Sequence, residues 1–446
     1  MRRGRRLWLR ILGGLTALAM IAVIGVYWWA RPLLRTGTGY AAHNACALST
    51  IARRTPLTAD LPPNPLVPYL RIVQDSDSYW AGVLGVLAGQ RAWAVDGFGC
   101  TLAVSRPDLG RATWIDGAVN KVTPQPVPSA APGLTAALAT AFGDELDQAG
   151  RDTLGTRAVV VLSHGRIVAE RYASGFDQNM PQLGWSMSKS VASLVVGRLV
   201  AQGKVSLSDS RLRPEWTDGR ASITIEDLLR MRSGLAWDET YDLGTPITEM
   251  LYNQPDMAAY VAAQPLAHPV GSVQQYSSGS TTLLCAVLNA TMRQGADLPR
   301  RALLTSLGTA SPIWEADAVG TPVCSSYLWA TPRDWASIGQ FALNDGVWNG
   351  SRLLPQGWMK ATTTALPIAT REDPNYAAGW WTNLTAEGSL VEPALPRDAY
   401  WASGHDGQRM YVVPSAQLVV VRLGFSPSAD DVRTHTLVTD VLKALE

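Results

Sequence analysis

The chain has 446 residues, of which 47% are hydrophobic and 17% are charged, and its formal net charge is +1 at pH 7. This length and composition allow a substantial core, organised as one large domain or two smaller ones. Beyond the first ten residues there is no basic run, which argues against a nucleic-acid partner.

The N-terminus predicts a membrane-spanning helix. Residues 11–30 carry no charge, and twenty helical residues cover about 30 Å, the thickness of the hydrocarbon core of a bilayer. The arginines before this stretch are Arg2, Arg3, Arg5, Arg6 and Arg10, and those just after it are Arg31 and Arg35. Because positive charge is enriched on the cytoplasmic side, we expect a single-pass anchor in the inner (cytoplasmic) membrane. The rest of the chain would then be periplasmic or otherwise extracytoplasmic.

A cleaved signal peptide is the alternative explanation of this segment. The apolar run is longer than the core of a usual signal peptide, and residues 27–30 lack small residues at the usual cleavage positions. An uncleaved anchor is therefore the favoured interpretation.

The sequence divides into four segments. Residues 1–37 form the cytoplasmic tip and the anchor, and residues 38–120 form a turn-rich N-terminal extension. Residues 121–133 read as a proline-rich linker, and residues 134–446 as the main folded domain.

The cysteines predict one disulfide. Outside the cytoplasm an even number of cysteines permits disulfides, and we expect Cys46 to pair with Cys100 because both lie in the extension. Cys285 lies in an apolar run, which predicts a buried free thiol, and the state of Cys324 is left open. The histidines are scattered and no Cys-x-x-Cys pair occurs, so no metal site is expected.

Alternating and helical patterns predict the elements of the main domain. A helix is expected at 134–146, a β-hairpin at 157–172, a second hairpin at 408–425 and a closing helix at 430–445. Strands at both ends with a long helical middle indicate one antiparallel sheet built from distant segments, with helices on it and a helical subdomain inserted.

The stretch at 184–190 carries the pattern of an activated nucleophile. Ser186 is followed three residues on by Lys189, and apolar residues then recur at helical spacing up to Gly203. Such a helix start brings an amine close to a hydroxyl, and a lysine kept neutral by burial can take the serine proton. The alternative is an ordinary helix start with a capping serine and a solvated lysine.

Two later loops could complete such a site. Tyr276 and Ser278 precede an apolar run, and Tyr276 could share the proton of Ser186 if it were a tyrosinate stabilised by an ammonium. The glycines around His405 would let a strand approach a substrate closely and present the backbone N–H of Gln408. That N–H and the N–H of Ser186 would form an oxyanion hole. The alternatives are a surface tyrosine and a plain hairpin loop.

Together these patterns resemble the serine β-lactamase and penicillin-binding-protein superfamily. Its Ser-x-x-Lys, Tyr-x-Asn/Ser and Lys-Thr-Gly/His-x-Gly motifs have counterparts in the same order at 186–189, 276–278 and 405–407. Residues 223–235, 327–336 and 345–350 resemble stretches of the class C-related branch, in particular of 6-aminohexanoate-dimer hydrolase-like proteins and related esterases. The resemblance covers about residues 130–446.

The resemblance implies a β-lactamase/transpeptidase-like α+β fold and a set of catalytic roles. Ser186 would be acylated, and Lys189 and Tyr276 would form the base system. Ser278 would assist the proton relay, and His405 would replace the catalytic lysine of the third motif. No metal or organic cofactor is expected.

Residues beside the motifs are candidates for the substrate pocket. Trp185, Trp380, Trp381 and Trp401 could wall an apolar pocket, although tryptophan is more often part of the core. Asp238 and Glu239 follow the 223–235 stretch and could reach the site entrance, and Asp238 is the candidate for substrate contact. A solvated acidic loop is the favoured interpretation of the pair.

Two departures from the β-lactamase pattern favour an esterase or amidase. His405 stands where β-lactamases carry a permanently charged lysine, and Ser278 stands where they carry an asparagine. We therefore expect hydrolysis of a small-molecule ester or amide through an acyl-enzyme. The alternatives are a D-alanyl peptidase or weak β-lactamase, and a binding or sensor protein without turnover. The sequence specifies neither the natural substrate nor the oligomeric state.

Overall fold

The computed structural model describes residues 2–126 and 128–446. Met1, in the expected cytoplasmic tip, and Val127, in the expected linker, lie outside the described residues. The α-helices are α1 (Arg2–Thr50), α2 (Pro132–Phe142), α3 (Gln148–Leu154), α4 (Met187–Ala201), α5 (Ile225–Leu229), α6 (Pro246–Asn253), α7 (Met257–Ala262), α8 (Ser278–Met292), α9 (Thr305–Leu307), α10 (Pro332–Leu343), α11 (Trp358–Thr362) and α12 (Thr434–Leu445).

The strands belong to a sheet near the N-terminus, a central sheet and several short pairs. The N-terminal strands are β1 (Leu70–Asp75), β2 (Ser78–Val83), β3 (Leu87–Val95) and β4 (Gly99–Leu102). The others are β5 (Thr156–Ser163), β6 (Arg166–Tyr172), β7 (Gln182–Leu183), β8 (Val273–Gln274), β9 (Ile313–Trp314), β10 (Leu328–Ala330), β11 (Val347–Trp348), β12 (Ser351–Arg352), β13 (Thr370–Arg371), β14 (Trp381–Thr382), β15 (Tyr400–Gly404), β16 (Gln408–Val413) and β17 (Leu418–Gly424).

The central sheet joins the two ends of the main domain. Its order is β14-β15-β16-β17-β5-β6, and all of its pairs are antiparallel. The two hairpins expected from the sequence meet where β17 pairs with β5. Every residue of β17 is buried, because helices cover both faces of the sheet. The expected α+β fold is confirmed.

Successive residues of the strands point to opposite faces and form two cores. Val160 and Val421 face the larger core, which contains buried residues of α4, α8 and α10. Val161 and Val420 face the smaller core, which α2 and α12 cover. These two helices are the ones expected at 134–146 and 430–445. The helices α4–α9 lie between β6 and β15 in the chain and supply the inserted helical part.

Helix α1 is longer than the sequence analysis anticipated. It continues from the apolar N-terminal stretch through Pro32 to Thr50, so the first part of the supposed turn-rich extension is helical. Residues 36–39 and 41–48 are buried in the domain, whereas residues 10–26 are exposed. At Gly39 the helix lies so close to α6 that a Cβ would collide with the carbonyl oxygen of Tyr252. Tertiary packing thus continues a helix whose sequence pattern is weak.

Among the described residues, one helix is long and apolar enough to cross a membrane, and it is α1. The end of the proline-rich segment 121–133 leads directly into α2. Near its start, Val122 is buried in the larger core and the carbonyl oxygen of Thr123 accepts a hydrogen bond of 2.7 Å from Arg333. This part of the expected linker therefore lies against the main domain.

All four cysteines form disulfides. Cys46 of α1 is bonded to Cys100 of β4, which joins the helix to the N-terminal sheet. Cys285 of α8 is bonded to Cys324, so the expectation of a free thiol at Cys285 was wrong. The apolar run around Cys285 correctly predicted that this residue is buried. Its partner, Cys324, is 39 residues away in the sequence, so only the fold brings the two cysteines together.

We predict that Cys285→Ala with Cys324→Ala lowers the free energy of unfolding by roughly 2–4 kcal/mol, because an open 39-residue loop gives the unfolded chain more freedom. Urea denaturation of wild type and variant measures the difference. Before this, alkylation of the denatured, unreduced wild type should modify no thiol. A reactive thiol at Cys285 would contradict the assignment.

Candidate active site

The site is built at the start of α4. Trp185 has a left-handed backbone (φ 48°), which turns the chain sharply before Ser186, and Ser186 directly precedes the helix that begins at Met187. One turn later Lys189 lies on the same side, with Nζ 2.7 Å from Oγ of Ser186. The hydroxyl and the amine that the sequence paired are therefore in hydrogen-bond contact.

Lys189 is enclosed, and its amine donates to acceptors from two other segments. Its side chain is 2% exposed, and Nζ donates to Oγ of Ser278 (2.8 Å) and to the carbonyl oxygen of Ser325 (3.1 Å). Burial lowers the pKa of Lys189 to about 8, and the nearby carboxylate of Glu239 opposes this effect. An amine with a pKa near neutrality is suited to general-base work.

Glu239 is a site residue that the sequence analysis underestimated. Its carboxylate accepts hydrogen bonds from the hydroxyl and the backbone N–H of Ser278 and from Nε1 of Trp237 (2.6 Å). Its Oε1 lies 4.0 Å from Nζ of Lys189. The solvated-loop interpretation fits Asp238, which is exposed and accepts from the N–H of Thr240, but it is wrong for Glu239. Asp238 is therefore not placed at the catalytic centre.

Tyr276 lies beside the Ser186–Lys189 pair. Nζ of Lys189 lies 4.8 Å from the centre of its ring, which also stacks on Trp381 at 5.7 Å. Desolvation raises the pKa of Tyr276 well above its ordinary value, Glu239 acts in the same direction, and the hydroxyl of Ser186 acts against it. Tyr276 is therefore a neutral phenol at pH 7, which disfavours the tyrosinate considered from the sequence.

The third motif lies at the turn between β15 and β16. Gly404 passes so close to the start of the nucleophile segment that a Cβ there would collide with the carbonyl oxygen of Gly184. The next residue, His405, stacks on Tyr241 at 4.4 Å and meets Trp185 edge-on at 5.7 Å. His405 is thus a neighbour of the residue that precedes Ser186.

Gln408 is the first residue of β16 and pairs with Gly404 across the turn. Its side chain is buried in the hairpin, where Nε2 donates to the carbonyl oxygen of Gly424 at 2.6 Å. The use of its backbone N–H with that of Ser186 as an oxyanion hole stays a prediction.

Two of the four candidate tryptophans line the site region and two do not. Trp185 and Trp381 contact His405 and Tyr276, respectively. Trp380 is 0% exposed and packs edge-on against Tyr400 in the larger core. Trp401 stacks on Tyr411 in the smaller core, on the other face of the sheet. The pocket expectation was wrong for these two, because each side chain is directed into a core.

Among residues 2–126 and 128–446, no group of three or more His, Cys, Asp or Glu side chains could hold a metal ion. The geometry instead provides a hydroxyl, a buried amine and a phenol within contact of one another. Such a set can carry out acyl transfer with proton transfer by side chains alone.

The chain is similar in sequence to proteins of one hydrolase family. The beta-lactamase family model matches residues 144–443. A 6-aminohexanoate-dimer hydrolase of Paenarthrobacter ureafaciens is 24% identical over 352 residues, which cover 69% of this chain and 81% of that protein.

Solved structures share the fold at low sequence identity. A penicillin-binding protein homologue from Caulobacter crescentus has a TM-score of 0.53 and 17% identity, with 71% of this chain and 99% of that chain covered. A class C beta-lactamase from Rhodobacter sphaeroides has a TM-score of 0.52 and 14% identity, with 71% and 100% covered.

The family match and the curated relative define the class of protein, a hydrolase of the serine type. Since the family model matches more than half of its length, the chain belongs to the beta-lactamase family.

We predict that a fluorophosphonate probe labels Ser186 at a rate that rises with pH through about 8, because only neutral Lys189 can take the serine proton. Glu239→Gln removes the charge that raises the pKa of Lys189, so the inflection should move to lower pH. Labelling rates between pH 5 and 10 measure it. Asp238→Asn, which neutralises the adjacent exposed carboxylate, is the matched control and should leave the inflection in place. An unchanged inflection in Glu239→Gln would contradict the assigned contact.

Proposed function

We propose that the protein is a membrane-anchored serine hydrolase that cleaves an ester or amide through an acyl-enzyme on Ser186. The observation that carries this proposal is the contact of 2.7 Å between Oγ of Ser186 and the buried Nζ of Lys189. The lowered pKa of Lys189, about 8, leaves a useful fraction of the amine neutral near pH 7.

In the proposed mechanism, neutral Lys189 takes the proton of Ser186 as Oγ attacks the carbonyl carbon. The bond to the leaving alcohol or amine then breaks, and the leaving group receives a proton from the phenol of Tyr276, which Lys189 in turn reprotonates. A water molecule, deprotonated by the same system, attacks the acyl carbon and restores the hydroxyl of Ser186. One water is consumed, and an acid and an alcohol or amine are released.

The groups around this centre have positioning roles in the proposal. Ser278 connects Lys189 to Glu239 through two hydrogen bonds, which fixes the amine towards Ser186. The N–H groups of Ser186 and Gln408 are the proposed donors to the oxyanion, where the N-terminus of α4 adds its partial positive charge.

An ester or amide is favoured over a β-lactam. The third motif supplies His405, which is partly exposed and stacked on Tyr241, rather than a permanent cation for a β-lactam carboxylate. Similarity to a 6-aminohexanoate-dimer hydrolase supports an amide of this kind as one substrate to test.

The anchor is the second part of the proposal. The exposed apolar part of α1 is long enough to cross a bilayer, and arginines are concentrated before it. An extracytoplasmic domain is part of this proposal, and the two disulfides support it because disulfides persist outside the cytoplasm.

We predict that Ser186→Ala lowers the turnover of short-chain aryl esters or of aminohexanoate dimer by on the order of 10³-fold or more, because the nucleophile is lost. Ser193→Ala is the matched control. Ser193 lies on the same helix, and its buried Oγ has no hydrogen-bond partner among the described residues. Turnover is read together with intact mass.

The outcomes of this assay separate the alternatives. Cephalosporin turnover above ester and amide turnover would favour a β-lactamase or D-alanyl peptidase. A trapped acyl-enzyme without turnover would favour a sensor. Neither turnover nor a mass increase on the wild type would refute the proposed function.

For the anchor, we expect the mature protein to remain in membranes washed with carbonate and to keep residues 1–37. Intact-mass measurement of the purified protein decides this. A mature N-terminus near residue 31 would show that the segment is a cleaved signal peptide.

A further inference from the structure

A cavity of about 140 Å³ lies beside the residues that flank the nucleophile. Trp185, Tyr241 and His405 form one of its walls, and their rings contact one another. Trp185 directly precedes Ser186, so the cavity is lined by the segment that carries the nucleophile.

The opposite walls come from outside the catalytic motifs. Helix α1 contributes Thr36, Gly37 and Tyr40, and the segment after it contributes mainly apolar side chains, namely Leu61, Pro62, Pro63, Leu66, Val67 and Leu70. Polar side chains of Asn64, Asp242 and Thr248 also line the cavity, but most of its lining is apolar, so it is suited to a hydrocarbon chain.

The cavity lies close to the membrane end of α1. Thr36 follows Trp29, at the end of the apolar stretch, by seven residues, which is about 10 Å along a helix. Leu243 lines the cavity, and the adjacent Gly244 packs against Leu33 of α1. Arg35 binds Asn253 and Gln90 through hydrogen bonds of 2.7 Å, which ties α6 and β3 to the helix at the same level.

The turn between β2 and β3 also lies beside α1 and exposes apolar side chains. The side chains of Leu84, Val86 and Leu87 are exposed, by 60%, 78% and 36%, respectively. The N–H of Ala88 donates to the hydroxyl of Tyr27 at 3.1 Å, which places this turn beside the apolar stretch of α1.

Leu84 adopts a left-handed backbone (φ 51°), a conformation for which a water-exposed turn usually has Asn, Asp or Gly. An apolar residue there is explained if the turn meets lipid rather than water.

We propose that the cavity takes the hydrocarbon chain of an amphiphilic ester or amide that is dissolved in the bilayer, and that the β2–β3 turn rests on the same bilayer. The proposal rests on the proposed function, since it assigns the substrate class of that site. The hydrocarbon chain of the substrate enters from the membrane end of α1, and the carbonyl group of the substrate reaches Ser186 past the wall formed by Trp185, Tyr241 and His405.

The first test uses the full chain in liposomes with p-nitrophenyl esters from acetate to laurate. A longer hydrocarbon chain buries more apolar surface in the cavity and in the bilayer, so we expect kcat/KM to rise about tenfold or more from acetate to laurate. All of this turnover should be lost in Ser186→Ala. Turnover that depends on Ser186 but falls with chain length would overturn the proposed substrate class and leave the proposed function intact. If no ester is turned over in a Ser186-dependent way, the proposed function fails and this inference fails with it.

The second test distinguishes the effect of the bilayer contact from the effect of the cavity, and it uses substitutions of two exposed valines. Val86→Asp places a charge on the turn beside α1 and should lower the ratio of laurate to acetate turnover in liposomes about tenfold. Val319→Asp is the matched control. Val319 is 60% exposed. Ala316, three residues before it, packs near Val95 at the end of β3 that is farther from the β2–β3 turn. A charge at Val319 should therefore leave the ratio of laurate to acetate turnover unchanged. An equal ratio in both variants and the wild type would overturn delivery from the bilayer.

Discussion

The burial of one amine is the constraint on which the site depends. Lys189 is held within 3.1 Å of Ser186, Ser278 and the carbonyl oxygen of Ser325. A charged ammonium in this place lacks the solvation of water, and this cost lowers its pKa towards neutrality. Glu239 limits the effect from the other side of Ser278. The proposed role of the amine as a base therefore requires that the segments around α4 stay closed on it.

The second disulfide joins two of these segments. Cys285 lies two turns after Ser278 on α8, and Cys324 directly precedes Ser325, so the bridge connects both partners of Lys189 covalently. Two close backbone approaches also hold larger elements together. At Gly404 the central sheet lies against the nucleophile segment, and at Gly39 helix α1 lies against α6. Preorganisation of this kind is how a fold with modest individual contacts keeps a reactive centre in place.

Helix α1 connects this centre to the proposed membrane anchor. The same continuous helix is exposed and apolar at its start and buried in the domain at its end. The sequence motifs account for the catalytic centre, whereas the cavity beside it is closed by residues 36–70, which carry no catalytic motif. If the cavity takes part of the substrate as proposed, the N-terminal extension contributes to substrate choice together with the family domain.

Local sequence patterns were sufficient to predict the elements whose signal is local. The two hairpins and their flanking helices follow from alternation and helical spacing, and the contact of Ser186 with Lys189 follows from a separation of one helical turn. The pairing of Cys285 with Cys324 and the inward turn of Glu239 could not be read in this way, because their partners lie 39 residues away in the chain. Trp380 and Trp401 show the same limit, since adjacency to a motif does not say which face of a sheet a side chain occupies. These contacts became visible in the folded protein, because long-range packing fixes burial and partners that local spacing leaves open.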